Sequence, residues 1–109
     1  HKYIRQTSNK IKTIPFKEKN NIVNISMKSV ASSNSTIMVA RMCLNDIGIS
    51  FVPEFILREE PFKSNLEILL KDYPVDIKTF LFAVYSNKKY LSPKVRTFID
   101  FMVDWFQKF

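Results

Sequence analysis

A chain of 109 residues, 46% hydrophobic and 25% charged, is one small globular domain or part of one, with a core but little stability to spare. One cysteine, one histidine and one glycine leave no material for a disulfide framework, a structural zinc site, a His-activated nucleophile or a phosphate-cradling loop. The net charge of +7 is unevenly placed, since the first thirty residues carry seven basic side chains against Glu18 alone.

Residues 2–20 are polar and weakly patterned, and Pro15 reads as a breaker. From Val23 the chain alternates, with Val23, Ile25 and Met27 apolar against Asn24, Ser26 and Lys28, which predicts a strand with one buried face. Ser32-Ser33-Asn34-Ser35 follows, a cluster of short polar side chains able to accept from the first free amides of a helix. That helix is predicted over about Ser35 to Asn45. It is apolar almost all round, with Arg41 its only charge, and is expected to be buried.

Asp46-Ile47-Gly48 ends it, and Ile49-Ser50-Phe51-Val52 reads as a short buried strand stopped by Pro53. Glu54 to Glu60 suits two helical turns with an acid near the dipole's positive end. Leu66, Ile68 and Leu70 predict another strand, and Thr79 to Tyr85 a fully buried one. The sequence of elements is that of an α/β layered sheet.

The last helix is the most legible. Ser92 is a good N-cap and Pro93 at the first helical position wastes no amide. Val95, Phe98, Ile99, Met102, Phe106 and Phe109 form one stripe, and Phe101, Val103 and Trp105 widen it to roughly 200°, twice what a surface helix needs. Such a face packs within the domain or serves as an interface through Phe98, Phe101, Trp105 and Phe109.

Chemical signatures are scarce. Adjacent Glu59 and Glu60 do not face each other on a helix and make no acid/base pair. Cys43 reads as a buried thiol, and Met38 and Met42 as core filling. Neither catalysis, a cofactor nor a metal is expected. The basic first thirty residues are either a solvated face or a footprint for an anionic partner, and only Tyr3 and Phe16 could stack on bases. With no apolar run near the ~20 residues of a membrane helix and no signal-like N-terminus, the expectation is a cytoplasmic protein without membrane contact. His1 in place of Met suggests a cut from a longer chain or a tag remnant.

Asn34 to Pro53, NSTIMVARMCLNDIGISFVP, resembles the pattern N-x-x-x-x-l-x-x-a-a-l-a-G-l-G-I-a-x-l-P of bacterial LysR-type transcriptional regulators, with Asn34, Gly48, Ile49 and Pro53 at matching spacing. Glu54 to Glu60 resembles "eflvree", Leu66 to Leu70 resembles "g-x-L-v-x-l-L", and Leu81 to Ser86 with Leu91 to Phe101 resembles the family's closing strand and "lspkvraFidfl" helix. The likeness spans about residues 22–106. Two departures stand out: Asp46 replaces the first glycine of the G-l-G pair, and Ile11 and Ile14 occupy the neighbourhood of a common tryptophan.

The resemblance implies one lobe of a periplasmic-binding-protein-like two-lobed α/β fold, with a mixed sheet flanked by helices and a C-terminal amphipathic helix. Residues 1–85 would be the second lobe. Residues 86–109 would be the turn and helix returning toward a first lobe absent from this chain. It implies an effector-binding domain that takes a small molecule, a carboxylate by analogy, in the inter-lobe cleft of a homo-oligomer. DNA would be read only by an N-terminal domain not in this chain. Ser33, Asn34, Ser35 and Thr36 at the helix start, with Val52 and Pro53 at the neighbouring strand end, are the expected effector contacts. Asn34 is either one of these contacts or only a helix cap. The competing reading is a stand-alone module that self-associates through its C-terminal aromatic helix.

Overall fold

The computed structural model describes residues 1–8, 12–78, 80–86 and 91–108. The chain separates into two compact units, His1–Ile77 and Lys78–Phe109.

The first unit is built on two small sheets. β1 (Tyr3–Gln6) and β4 (Ser29–Ser33) pair in parallel, with Gln6 opposite Ser33 and a local irregularity between Tyr3 and Ile4. The chain returns beside β1 at Ile49. The Ile4 amide donates to the Ile49 carbonyl (2.9 Å) and the Ile49 amide to the Lys2 carbonyl (2.9 Å), a parallel bridge. Ser50 Oγ extends the contact by donating to the Ile4 carbonyl at 2.6 Å. β1 therefore has neighbours on both sides.

Gly48 makes the approach possible, because a Cβ there would collide with the Lys2 carbonyl. Any side chain would push β1 away from the returning segment.

β2 (Ile14–Glu18) and β3 (Asn21–Ile25) form an antiparallel hairpin in register, Ile14 opposite Ile25 and Glu18 opposite Asn21. Lys19 opens its turn at φ 54°, a left-handed conformation that a glycine would take more readily. Pro15 does not break the chain here. It lies inside β2, where its missing amide is no loss and its carbonyl accepts from the Asp76 amide at 2.8 Å. The adjacent Lys17 amide donates to the Pro74 carbonyl (2.8 Å), and Lys17 Nζ stands 2.9 Å from an Asp76 carboxylate oxygen.

α1 (Thr36–Leu44) packs on β1 and β4. Its fully buried residues are Val39 and Ala40, while Ile37 and Met38 are about half exposed. The expectation of burial all round is thus corrected. One stripe of α1 faces the sheet, and Ile37 and Met38 on its first turn stay exposed among the described residues. Its end is a Schellman arrangement: the Ile47 amide donates to the Met42 carbonyl and the Asp46 amide to the Cys43 carbonyl, both at 3.1 Å. Asp46 takes the left-handed position at φ 61°.

A 3₁₀ helix (Glu54–Arg58) and the short α2 (Phe62–Asn65) follow, with the Glu60–Pro61 peptide cis between them. Ala40, Ile56 and Phe62 form a core cluster bordered by Leu44, Val52, Leu57 and Leu66.

Two predicted strands are not formed. Leu66 to Leu70 has no ladder partner among the described residues, and Leu70 leaves the extended region at φ 55° to accept from the Tyr73 amide. Phe80 to Tyr85 is unpaired and exposed, Val84 by 93%. An apolar run becomes a buried strand only where other strands take its amides and layers cover both faces. The second unit has no described strand to do so. Thr79 lies outside the described residues.

α3 (Pro93–Gln107) is the element of the second unit. Ser92 caps it, accepting from the Val95 amide at 3.3 Å, and Thr97 Oγ1 donates back to the Pro93 carbonyl. Asp104 and Lys108 pair at 2.7 Å along its polar side, and Phe101 stacks on Trp105.

Candidate functional site

The parallel pairing of β1 and β4 brings their carboxyl ends out on one side, and α1 starts there. Ser35 is the N-cap, with its backbone extended at φ −100° and ψ 117° and its hydroxyl accepting from the Met38 amide at 3.3 Å. Ser33 Oγ accepts from the Ser35 amide at 3.1 Å, which folds the turn onto itself. The Val39 amide is taken by the Ser35 carbonyl. Among the described residues, the Thr36 and Ile37 amides have no partner. They sit at the positive end of the helix dipole.

Asn34 is exposed one position ahead of the cap, and its side chain has no partner among the described residues. The capping bond belongs to Ser35, so of the two readings of Asn34 the cap is removed.

Gln6, invisible to sequence reasoning, closes the arrangement. Its Nε2 donates to Thr36 Oγ1 at 2.6 Å, and its Oε1 accepts from the amide and the hydroxyl of Ser8. This fixes the Thr36 side chain over the strand ends. No local signal marks Gln6. Its role comes from the pairing of β1 with a strand more than twenty residues downstream.

The segment from Ile49 runs beside β1 in the same direction, so Val52 and Pro53 emerge on the same side as Ser33, with β1 between. Two strand spacings put them roughly 10 Å apart. Val52 turns into the Ala40–Ile56–Phe62 cluster, and the Pro53 carbonyl accepts from the Ile56 amide at 3.1 Å to start the 3₁₀ turn. Val52 is half-buried, packed against that cluster and lining an apolar cavity of the first unit, so the structure does not gather it with Ser33–Thr36.

Chemically the turn is a set of hydroxyls, carboxamides and two free amides with no acidic side chain among Gln6 and residues 33–36. Such a set can receive an anion or a hydrogen-bond acceptor. It contains no nucleophile–base pair, and among the described residues no group of His, Cys, Asp and Glu could hold a metal. Cys43 lies away from the turn at the other end of α1, and burial pushes its thiol up from the ordinary value.

The expected interface residues fall on α3. Phe98, Phe101 and Trp105 are all more than half exposed, and α3 buries none of its described side chains. Phe109 lies outside the described residues. No described helix is long and apolar enough to cross a membrane.

Parallel strands feeding a capped helix, with polar groups gathered at the strand carboxyl ends, define a small α/β ligand-binding type of domain. The family model described as the LysR substrate binding domain matches residues 15–107, and this chain belongs to that family. Its fold is therefore periplasmic-binding-protein-like, and its place is in the effector-binding part of transcription regulators, a family of regulators rather than enzymes. No curated protein sequence and no solved structure matches the chain.

Proposed function

We propose that this chain is the second lobe and returning helix of the effector-sensing domain of a bacterial, cytoplasmic LysR-type regulator. In this reading it forms one wall of a cleft that takes a small carboxylate. Residues 1–85 form the lobe, and residues 86–109 return toward a first lobe outside this chain. The observation that carries the proposal is the start of α1, where the free Thr36 and Ile37 amides meet the side chains of Ser33, Asn34 and Thr36 at the carboxyl ends of β1 and β4.

A carboxylate seated there accepts from the two amides and from Asn34 Nδ2, with Gln6 holding the Thr36 hydroxyl in place. Closing the two lobes on the effector would change the spacing of the DNA-bound homo-oligomer. DNA contact itself falls to an N-terminal domain outside this chain.

The test is calorimetric titration with a panel of small carboxylates. Half a cleft binds weakly, so the 109-residue chain is expected to bind none at millimolar affinity, while a longer chain carrying the first lobe binds at least one. In that longer chain Asn34→Ala weakens binding about tenfold, the loss of one charge-assisted bond. Millimolar or tighter binding by the short chain overturns the shared-cleft reading.

The exposed Phe98, Phe101 and Trp105 favour a second reading, self-association through α3. Sedimentation at increasing concentration tests it: a strict monomer rejects it.

A further inference from the structure

Along β1 and the returning segment from Gly48 to Val52, the first unit holds an apolar cavity of about 650 Å³, within the range of small-molecule sites. Tyr3, Phe16 and Phe51 form one wall, with ring centroids 6.0 and 5.9 Å apart in edge and tilted contacts. Leu57, Leu66 and Leu70 form another.

The polar groups around the cavity are almost all engaged. Ser50 Oγ donates to the Ile4 carbonyl and Asn65 Nδ2 to the Pro61 carbonyl. The two charged residues at its border, Glu67 and Lys71, are exposed and of opposite sign.

Two phenols are the exceptions, Tyr73, which is exposed to solvent, and Tyr3, which is buried. Tyr3 is 8% exposed, yet its hydroxyl has no hydrogen-bond partner among the described residues. No occluded side-chain polar atom among the described residues is unpaired, so that hydroxyl retains accessible surface, and Tyr3 lines the cavity. A buried phenol keeps its proton, and here burial pushes it above its ordinary value of 10.0, against a smaller opposite effect of Arg5. It therefore stands as a donor awaiting an acceptor.

We propose that this cavity is a second ligand site, meeting the residues of the cleft wall only at Val52, for a neutral molecule with an aromatic or short apolar body and one hydrogen-bond acceptor, which Tyr3 Oη donates to. An anion fits poorly, because the walls offer no unopposed positive charge and the cavity is lined by apolar carbon.

Acetophenone, toluene and benzoate serve as probes in an NMR titration of the 109-residue chain, following signals of Tyr3, Phe51 and Leu66. The expected result is saturable shifts with acetophenone at submillimolar affinity and no saturable shift with benzoate up to millimolar concentration. Tyr3→Phe, which keeps the ring, should weaken acetophenone about five- to tenfold, the value of one neutral hydrogen bond, and leave toluene unchanged. Toluene binding by the variant doubles as proof that it is folded. Absence of saturable shifts, benzoate binding as well as acetophenone, or equal acetophenone affinity in Tyr3→Phe each overturns the proposal. So does a shift of these signals on dilution without any probe, which would assign the cavity to a second copy of the chain.

Discussion

α1 and α3 begin in the same way and end up in opposite circumstances. Each starts at a serine whose hydroxyl accepts from the third helical amide at 3.3 Å. α1 has nine residues and buries Val39 and Ala40 completely, whereas α3 has fifteen residues and a wide apolar face, and buries none of its described side chains. Capping is a local matter settled within four residues. Burial depends on what the rest of the unit places opposite the helix, and hydrophobicity alone does not supply it.

The contrast can be broken most forcefully at Gly48. Gly48→Ala forces a Cβ onto the Lys2 carbonyl, parting β1 from the returning segment that α1 packs over. The expected cost is about 3 kcal/mol, the upper end for overpacking, read as a fall in the urea midpoint.

Removing the two caps compares the helices directly. Ser35→Ala is expected to cost about 1 kcal/mol of unfolding free energy, because α1 is tied to the core. In α3 the same change, Ser92→Ala, deletes a bond from a helix without buried residues, so its readout is lost helical circular dichroism rather than a shifted midpoint.

Asp46→Gly gives the smallest effect and the opposite sign. Glycine accepts φ 61° without a Cβ penalty, at the cost of a more flexible unfolded chain. A gain of roughly 0.5 kcal/mol at the end of α1 is expected, measured as a raised thermal midpoint.

Both long helices and the Ser92 cap were legible in the sequence, because each is written in contiguous residues. The strand read from Val23 is extended as expected, but β3 ends at Ile25 before Met27 and buries no face, since all five of its residues are exposed. The cap of α1 is Ser35 rather than Asn34. β1 and β2 were not legible. In β1 the adjacent Tyr3 and Ile4 are both buried, since one meets the cavity side and the other the α1 side, and this removes the period of two. In β2 Pro15 looked like a breaker, although its partner across the hairpin needs nothing from its nitrogen.

The apolar runs at Leu66 and Phe80 suggested strands for which the described residues of their units supply no partners. Of the candidate site, the Ser33–Thr36 turn could be read directly. Gln6, Ser8 and the Tyr3 cavity could not, for they exist only once residues 3–6 lie between residues 29–33 and 49–52. Family membership across residues 15–107 fits the order of motifs from Asn34 onward, which is where local patterns are densest.

The central position of β1 also carries a kinetic consequence. Its partners lie 26–27 and 46 residues away along the chain, so the strand that organises the unit cannot pair until those loops have closed. Loop closure of that length is an entropic toll collected before any contact rewards it. The β2–β3 hairpin and the turns of α1 form within microseconds, and the strand threads between β4 and Ile49 afterwards. Within this unit, the strand that comes first along the chain is the last to find its place.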